Sequence, residues 1–386
     1  MLDRAEAMAD QIVQWRRHVH QHPELSFEEV ETARFVAETL QSFGIAVETG
    51  VGKTGVVGHL GQGSPCIALR ADMDALPVTE DTGLPFASQN EGVMHACGHD
   101  THVACLLGAA KLLAETPPER GEVRFLFQPS EEGVDDEEKS GAIRLVEAGA
   151  MVGVDAVVGL HNWPEVSAGQ ISVSSGPQMA AAGKYSVRIR GHGGHGALPH
   201  QTVDPIVLAA QAVMAMQTVV SRRLEPIEAG VVTVGTIHAG TKDNIIPEYV
   251  DMTGTMRSFS DEIYQQLEKE VTRALEVVRA LGGDFEVDFH THFPVTFNDP
   301  EVTAFVTQIA EDLLGAEAVV PAKPTMGGED FSILSLEAPG CFLRLGSGCP
   351  GKPPRHLHEP DFDVDESALP LGTAVLAETA LRYLRG

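Results

Sequence analysis

A chain of 386 residues with 43% apolar and 21% charged residues has room for two domains, each with its own core. Its 55 acidic against 27 basic residues give a formal net charge of −28. That charge argues against nucleic acid or an anionic membrane surface as a partner, and it requires a local cation wherever a carboxylate substrate is to bind. The five cysteines are odd in number and irregularly spaced, so they suggest no disulfide framework. Neither a signal-peptide pattern nor an apolar run of membrane-spanning length is visible, and the expectation is a cytoplasmic protein with reduced thiols.

In chain order, residues 3–20 read as an amphipathic helix with Ile12, Val13, Trp15 and Val19 near one face, ended at His22-Pro23. A second helix follows over 28–43, closed by Gly44. Short apolar runs at 56–60, 67–70, 123–127 and 156–160 read as buried strands, alternating with helices at 103–113 and 143–148. This alternation predicts an α/β domain with a central mixed, largely parallel sheet. From about residue 180 the pattern changes. Strands at 185–190, 231–237, 249–256 and 285–289 are interleaved with helices at 205–222 and 261–281. The order β-α-β-β-α-β is that of the ferredoxin-like α+β unit. The expectation is a catalytic domain made of 1–180 and 295–386, with 181–294 inserted as a lid or dimerisation domain. After Pro300 the chain returns to helix, then a strand at 341–345, the His358 segment and a last helix.

The chemistry-bearing residues cluster at the ends of the predicted strands. Asp72 and Asp74 follow one, Glu131 and Glu132 a second, and His161 a third. Ligands of open α/β sheets gather beyond the carboxyl ends of the strands, so these segments converge in space. Cys97 and His99, in Met94-His95-Ala96-Cys97-Gly98-His99-Asp100-Thr101-His102, add a thiol and an imidazole two residues apart. His356 or His358 adds another imidazole near the C-terminus. Cys, His and Glu together suit a borderline transition metal: zinc, manganese, cobalt or nickel. In a doubled glutamate, one carboxylate can hold metal while its neighbour moves a proton, the division of labour that metal-assisted hydrolysis requires. Taken singly, His161 reads as a core histidine and Cys97 as a small buried hydrophobe. Taken together, coincidence is the poorer explanation. The run Asp135-Asp136-Glu137-Glu138 reads as a solvated loop.

Seven segments carry a family resemblance across almost the whole chain. They are Arg17-His18-x-His20-x-His22-Pro23-Glu24-Leu25, Arg70-Ala71-Asp72-Met73-Asp74-Ala75-Leu76-Pro77, Met94 to Asp100, Gln128-Pro129-Ser130-Glu131-Glu132, Gly193-Gly194-His195-Gly196-Ala197-Leu198-Pro199-His200, Asn244-Ile245-Ile246-Pro247, and Met326-Gly327-Gly328-Glu329-Asp330-Phe331. With these the chain resembles the aminoacylase/carboxypeptidase-type dinuclear metallohydrolases, in the amidohydrolase branch of hippurate hydrolases, N-acyl-amino-acid amidohydrolases and auxin-conjugate hydrolases.

The resemblance implies two divalent metal ions per subunit, held by Cys97, His99, Glu132, His161 and His358, with Cys97 bridging. It implies Glu131 as general base and acid. Asp72 and Asp74 stand where the wider superfamily has a His-x-Asp pair, and are expected to support the ligands. His195 is implied to reach the active site of a neighbouring subunit and stabilise the oxyanion. Asn244 and Arg257 are implied to contact the substrate carboxylate, and the Gly327 and Gly328 amides are further candidates for that contact. The implied protein is a homodimer that cleaves the amide bond of N-acyl-L-amino acids. Deacetylation of N-acetyl-diaminopimelate, dipeptidase or carboxypeptidase action, and non-catalytic binding of a metal or small molecule are the alternatives.

Overall fold

The computed structural model describes residues 1–349, 351, 353 and 355–386, with Thr291 and His292 described by backbone alone. By its contacts the chain divides into two units. The first comprises Met1–Gln178, Phe297–Lys323 and Asp330–Gly386, and the second Met179–Thr296 with Pro324–Glu329.

The first unit is built on an eight-stranded sheet. Its spatial order is Ala46–Val51, Gly55–Gln62, Gly121–Gln128, Cys66–Asp72, Ala156–Ser167, Gly340–Gly348, Ile171–Ser172 and Val319–Val320. The four central strands run parallel to one another. Gly55–Gln62 joins them antiparallel, with Ala46–Val51 antiparallel beyond it. Every residue of Cys66–Asp72 is buried, as a central parallel strand covered on both faces must be. Ala46–Val51, mostly exposed and broken by Gly50, is an edge strand that carries no apolar run to announce it.

The helix His99–Glu115 is buried around nearly its whole circumference. A helix so enclosed loses the one-sided periodicity that marks a surface helix. The C-terminal helix Leu369–Arg385 crosses it closely. The Thr373 hydroxyl donates to Cys105 O, and a Cβ on Gly108 would come within 2.8 Å of the Thr373 side chain. The segment expected as one helix over 3–20 is two, Leu2–Glu6 and Ala9–Gln21, with Ile12, Trp15 and Val19 buried in the main core.

The second unit carries a four-stranded antiparallel sheet ordered Gly230–Ala239, Tyr249–Ser258, Ala181–Arg190 and Asp284–Phe293. Burial alternates along Ala181–Arg190 and Tyr249–Ser258 with the period of two that a half-covered sheet imposes. Pro205–Arg223 and Asp261–Ala280 supply the helical side of the core, through residues such as Leu208, Met216, Leu267 and Leu275. Their starts are set by side-chain caps, Asp204 accepting from Ile206 N–H and Ser260 from Ile263 N–H.

Candidate metal centre

Three backbone devices in the first unit aim the donors. Gly98 adopts a left-handed conformation (φ 81°) that ends the Cys97 segment and starts the helix at His99. Ser130, at φ 44°, turns the chain after the strand Gly121–Gln128 so that Glu131 and Glu132 follow at the sheet's carboxyl edge. That turn is strained for a serine and is held from outside. Glu29 accepts the Ser130 N–H (2.8 Å), and Ser130 O accepts from Gly141 N–H (2.9 Å). His358 is also left-handed (φ 67°), and its N–H donates to Ala96 O at 2.8 Å.

The donors converge. Cys97, His99 and His161 each offer an atom within 4.8 Å of the others, and so do Cys97, Glu132 and His358. The Cys97 sulfur is common to both groups. A third group of the same span joins His99, Glu131 and Glu132. Cys97 Sγ lies 3.5 Å from His161 Nε2, and His358 Nε2 lies 3.2 Å from Glu132 Oε1. His356 instead faces Glu165 (3.1 Å), so of the two C-terminal candidates His358 is the one beside the other donors. Asp72, His99 and His102 also lie close together. There, however, both ring nitrogens of His102 are engaged, Nδ1 with Asp72 (2.5 Å) and Nε2 with the Asn162 N–H (2.8 Å).

Asp74 holds two donors at once. Its Oδ1 and backbone O face His99 Nδ1 at 3.2 and 2.9 Å, leaving Nε2 as the outward ring atom. Its Oδ2 accepts from the Glu132 N–H (2.9 Å) and the Ser26 hydroxyl (2.7 Å). Asp72 is tied to Arg70 (2.8 Å) and His102, with its Oδ2 3.6 Å from His99 Nε2. Neither aspartate is loose, and each orients an imidazole through its second nitrogen, as ligand-supporting carboxylates do.

The electrostatics call for a cation. Burial, then the negative charge of Glu132 and Glu131, pushes the Cys97 thiol well above its usual range. Burial alone would depress His99, but Asp72 and Asp74 outweigh it and raise the imidazole to about 10. Burial would also raise the Asp72 carboxyl, yet Arg70, His99 and His102 hold it well below the usual carboxylate range. His161 is pushed well down by burial and then by His102, so it is neutral and ready to coordinate. Two buried atoms at this place, His99 Nε2 and Glu132 Oε1, make no hydrogen bond among the described residues, the 3.2 Å approach of His358 Nε2 to Glu132 Oε1 being an ion-pair contact without hydrogen-bond geometry. Thiol, imidazole and carboxylate donors with orphaned atoms fit divalent metal ions, whose charge reverses the penalty on the thiolate.

On the second unit, the short strand Gly194–His195 pairs with Ile245–Ile246, which sets His195 opposite Ile245 and brings Asn244 O to the Gly196 N–H (2.9 Å). His195 is exposed, and its Nδ1 accepts the Ala197 N–H at 3.0 Å. That bond leaves the ring proton of the neutral imidazole on Nε2. Arg257 is half-buried and donates to Met256 O (2.9 Å) and Gly183 O (3.3 Å). Among the described residues it forms no ion pair, and burial lowers its pKa. Gly327 and Gly328 lie in the 324–329 segment, and neither adopts the left-handed conformation whose alternation makes an anion-binding nest. What the structure gives them is close approach: Gly327 O accepts from Ala180 N–H, and a Cβ on Gly328 would stand 2.7 Å from that of Ala182.

Residues that sequence reasoning passed over are Glu29, Asn162 and Arg16. Glu29 sits in a Glu28-Glu29 pair that reads as a solvated helix start, so nothing in the sequence marked it. Asn162 had one signal, its place directly after His161. Arg16 is fully buried, with bonds to Asp100 (2.7 Å), Glu366 (3.0 Å) and Asp363 (3.4 Å).

The family model described as peptidase family M20/M25/M40 matches residues 68–382. An N-acetyl-L-cysteine deacetylase of Bacillus subtilis is 40% identical over 97% of this chain and 88% of its own. Thermostable carboxypeptidase 1 of Saccharolobus solfataricus is 41% identical over 97% of this chain and 95% of its own. A crystal structure from Bacillus subtilis, described as a dinuclear metal binding peptidase from the M20 family, superposes with a TM-score of 0.85. It is 35% identical and covers 98% of this chain and 99% of that one. With most of its length matched by the family model and by relatives of such identity, the chain belongs to peptidase family M20/M25/M40, a dinuclear metal-dependent hydrolase family.

Proposed function

We propose that the protein hydrolyses the amide bond of N-acyl-L-amino acids, releasing a carboxylic acid and a free amino acid. The observation that carries this reading is the Cys97 sulfur shared by two three-donor groups, with the Glu131 carboxylate against His99 and Glu132. The deacetylase relative acts on a substrate of this class by its name.

Cys97, His99, Glu132, His161 and His358 would hold two divalent ions, which supply Lewis acidity toward the acyl oxygen and acidify a water. Manganese, zinc, cobalt and nickel all suit this donor set. In this reading Glu131 takes the proton of the attacking water and returns it to the departing nitrogen, because an amine leaves poorly unless protonated. Its small exposure, 9%, limits competition from bulk water for that proton. His195 donates from Nε2 to the developing oxyanion, a role supported by the Ala197 N–H that occupies its Nδ1. Arg257 pairs with the free α-carboxylate, which fixes the scissile bond, and Asn244 adds a polar contact to the same group. Amides of Gly327 and Gly328 are further donors for that carboxylate.

The reading includes a homodimer, in which His195 serves the neighbouring subunit. It is supported by the exposed edge strand Gly230–Ala239 and by exposed Ile206, Val207 and Met214 on the helix Pro205–Arg223. No helix among the described residues is long and apolar enough to cross a membrane. We place the protein in the cytoplasm, where the five unpaired cysteines, Cys97 included, stay reduced.

A second reading, carboxypeptidase action on peptides, is favoured by the name of the Saccharolobus relative. Hydrolysis of N-acetyl, N-benzoyl and indole-acetyl amino acids beside dipeptides, after chelation and after adding back each metal, separates the two. Metal-restored cleavage of N-acyl amino acids is expected. Cleavage of peptides alone would move the assignment to the second reading.

A further inference from the structure

Asn162 is fully buried, and three of its polar groups are spent on different parts of the metal centre, while its side-chain carbonyl accepts from the Ser347 hydroxyl at 3.4 Å. Its side-chain amide donates to Cys97 O at 2.7 Å. Its carbonyl faces His161 Nδ1 at 2.6 Å, which puts the His161 proton on Nδ1 and turns Nε2 toward the Cys97 sulfur. Its N–H donates to His102 Nε2 at 2.8 Å. Since His102 Nε2 accepts, the His102 proton lies on Nδ1 and is given to Asp72 (2.5 Å), which Arg70 anchors from the other side (2.8 Å). The backbone is shaped to admit this residue. At Gly98, already left-handed, a Cβ would stand 2.3 Å from Asn162 Nδ2.

Cys97 and His161 lie 64 residues apart, on a loop and a strand, yet their donor atoms are 3.5 Å from each other. Asn162 bonds to both, its side-chain amide to the Cys97 carbonyl and its backbone carbonyl to the His161 ring, and His102 fixes its N–H from behind. We infer that Asn162, backed by His102, is a positioning unit that sets the separation of the Cys97 sulfur and the His161 imidazole, and so the affinity of the metal they share. This rests on the proposed ligand set. Polar groups behind a metal's ligands are commonly worth ~10–100-fold in affinity.

The two partners of His102 can be separated. Asparagine at 102 reaches where Nδ1 stood and keeps the bond to Asp72, but falls short of the Asn162 N–H. Glutamine reaches where Nε2 stood and keeps the bond to Asn162. The experiment loads full-length protein with cobalt and measures three things: affinity by competition with a chelator, the thiolate-to-cobalt charge-transfer band, and the melting temperature of the metal-free protein. Asn162→Ala and His102→Asn are expected to weaken binding of one cobalt per subunit by about 10–100-fold and to shift the thiolate band. His102→Gln should stay within a few-fold of the parent. A purely structural role would instead lower the metal-free melting temperature and leave affinity and band unchanged, and that result overturns the inference. So does an equal loss of affinity in His102→Asn and His102→Gln. If Asn162→Ala does not fold, the two His102 variants decide alone. A Cys97→Ala control separates the two levels: if the parent shows no thiolate band, or Cys97→Ala retains it, the ligand assignment itself has failed.

Discussion

Replacing Glu29 by glutamine should change how stability depends on pH. The Glu29 side chain is fully buried. Its Oε1 accepts from the Phe27 N–H (3.0 Å) and the Ser130 N–H (2.8 Å), and its other oxygen accepts from the Thr54 hydroxyl. Burial first, and then the negative charge of Asp74, raises its carboxyl from 4.5 to about 7, against the opposing pull of the Thr54 hydroxyl and of the Glu29 and Ser130 N–H groups. The folded state therefore favours the protonated acid. The stability this contributes is fully present below pH 4.5 and is lost progressively as the pH rises to about 7. At ~1.36 kcal/mol per pH unit the loss is about 3 kcal/mol. Glutamine keeps the acceptor for Phe27 and Ser130, offers its amide to the Thr54 oxygen, and does not titrate. Urea unfolding of chelated protein at pH 5 and pH 8 should show Glu29→Gln gaining on the parent by about 2.5 kcal/mol between the two, since part of the loss has already occurred by pH 5. A difference between variant and parent that is the same at both pH values would refute the reasoning, because it would mean the buried carboxyl does not take up its proton in the folded protein.

Two further substitutions test separate parts of the centre. Glu131→Gln should lower kcat by ~10²–10⁴-fold, the usual worth of a positioned acid or base, while metal content measured by elemental analysis stays at the parent's value. Arg16→Met should cost ~3–5 kcal/mol in urea unfolding, because Asp100, fully buried, is left with His20 as its remaining charged partner (2.9 Å). Adding Asp100→Leu to Arg16→Met should recover part of that loss, and an additive loss would mean the pair is not coupled.

The placement of Asp72 and Glu131 at strand ends was readable because central parallel strands are continuous apolar runs, and the polar residues that end each run stand out. His161, expected just after its strand, instead lies within it, because Ala156–Ser167 continues past the apolar run. The helix His99–Glu115 was readable only in part. The apolar pattern that marked it begins at Val103, four residues after its first residue, His99. His99, Asp100, Thr101 and His102 are all buried in its first turn. The three-residue spacing of His99 and His102 puts both imidazoles on one helical face. Their division of labour is invisible in the sequence, since it depends on what each ring's second nitrogen meets. The left-handed turn at Ser130 had no marker either. Glycine advertises such a turn, whereas a serine held there by a glutamate a hundred residues away does not. Arg16 reads as one charge among many on an amphipathic helix, and only the fold reveals the acids around it.

The formal charge of −28 has a kinetic consequence for an anionic substrate. An N-acyl amino acid carries a carboxylate, so the summed field of the protein repels it before any local contact forms. Arg257, among the described residues without an ion-pair partner of its own, would attract that carboxylate at short range. The two effects separate by distance. At 0.15 M salt the screening length is ~8 Å, so added salt removes the long-range repulsion and leaves a short, partly buried contact largely intact. For an enzyme whose kcat/KM is limited by capture, kcat/KM should therefore rise as salt is raised from about 10 mM to 150 mM. The neutral amide of the same substrate should show no such rise. A kcat/KM that falls with salt for the anion would mean that a local positive field outweighs the net charge over the approach path, and the long-range argument would then be wrong.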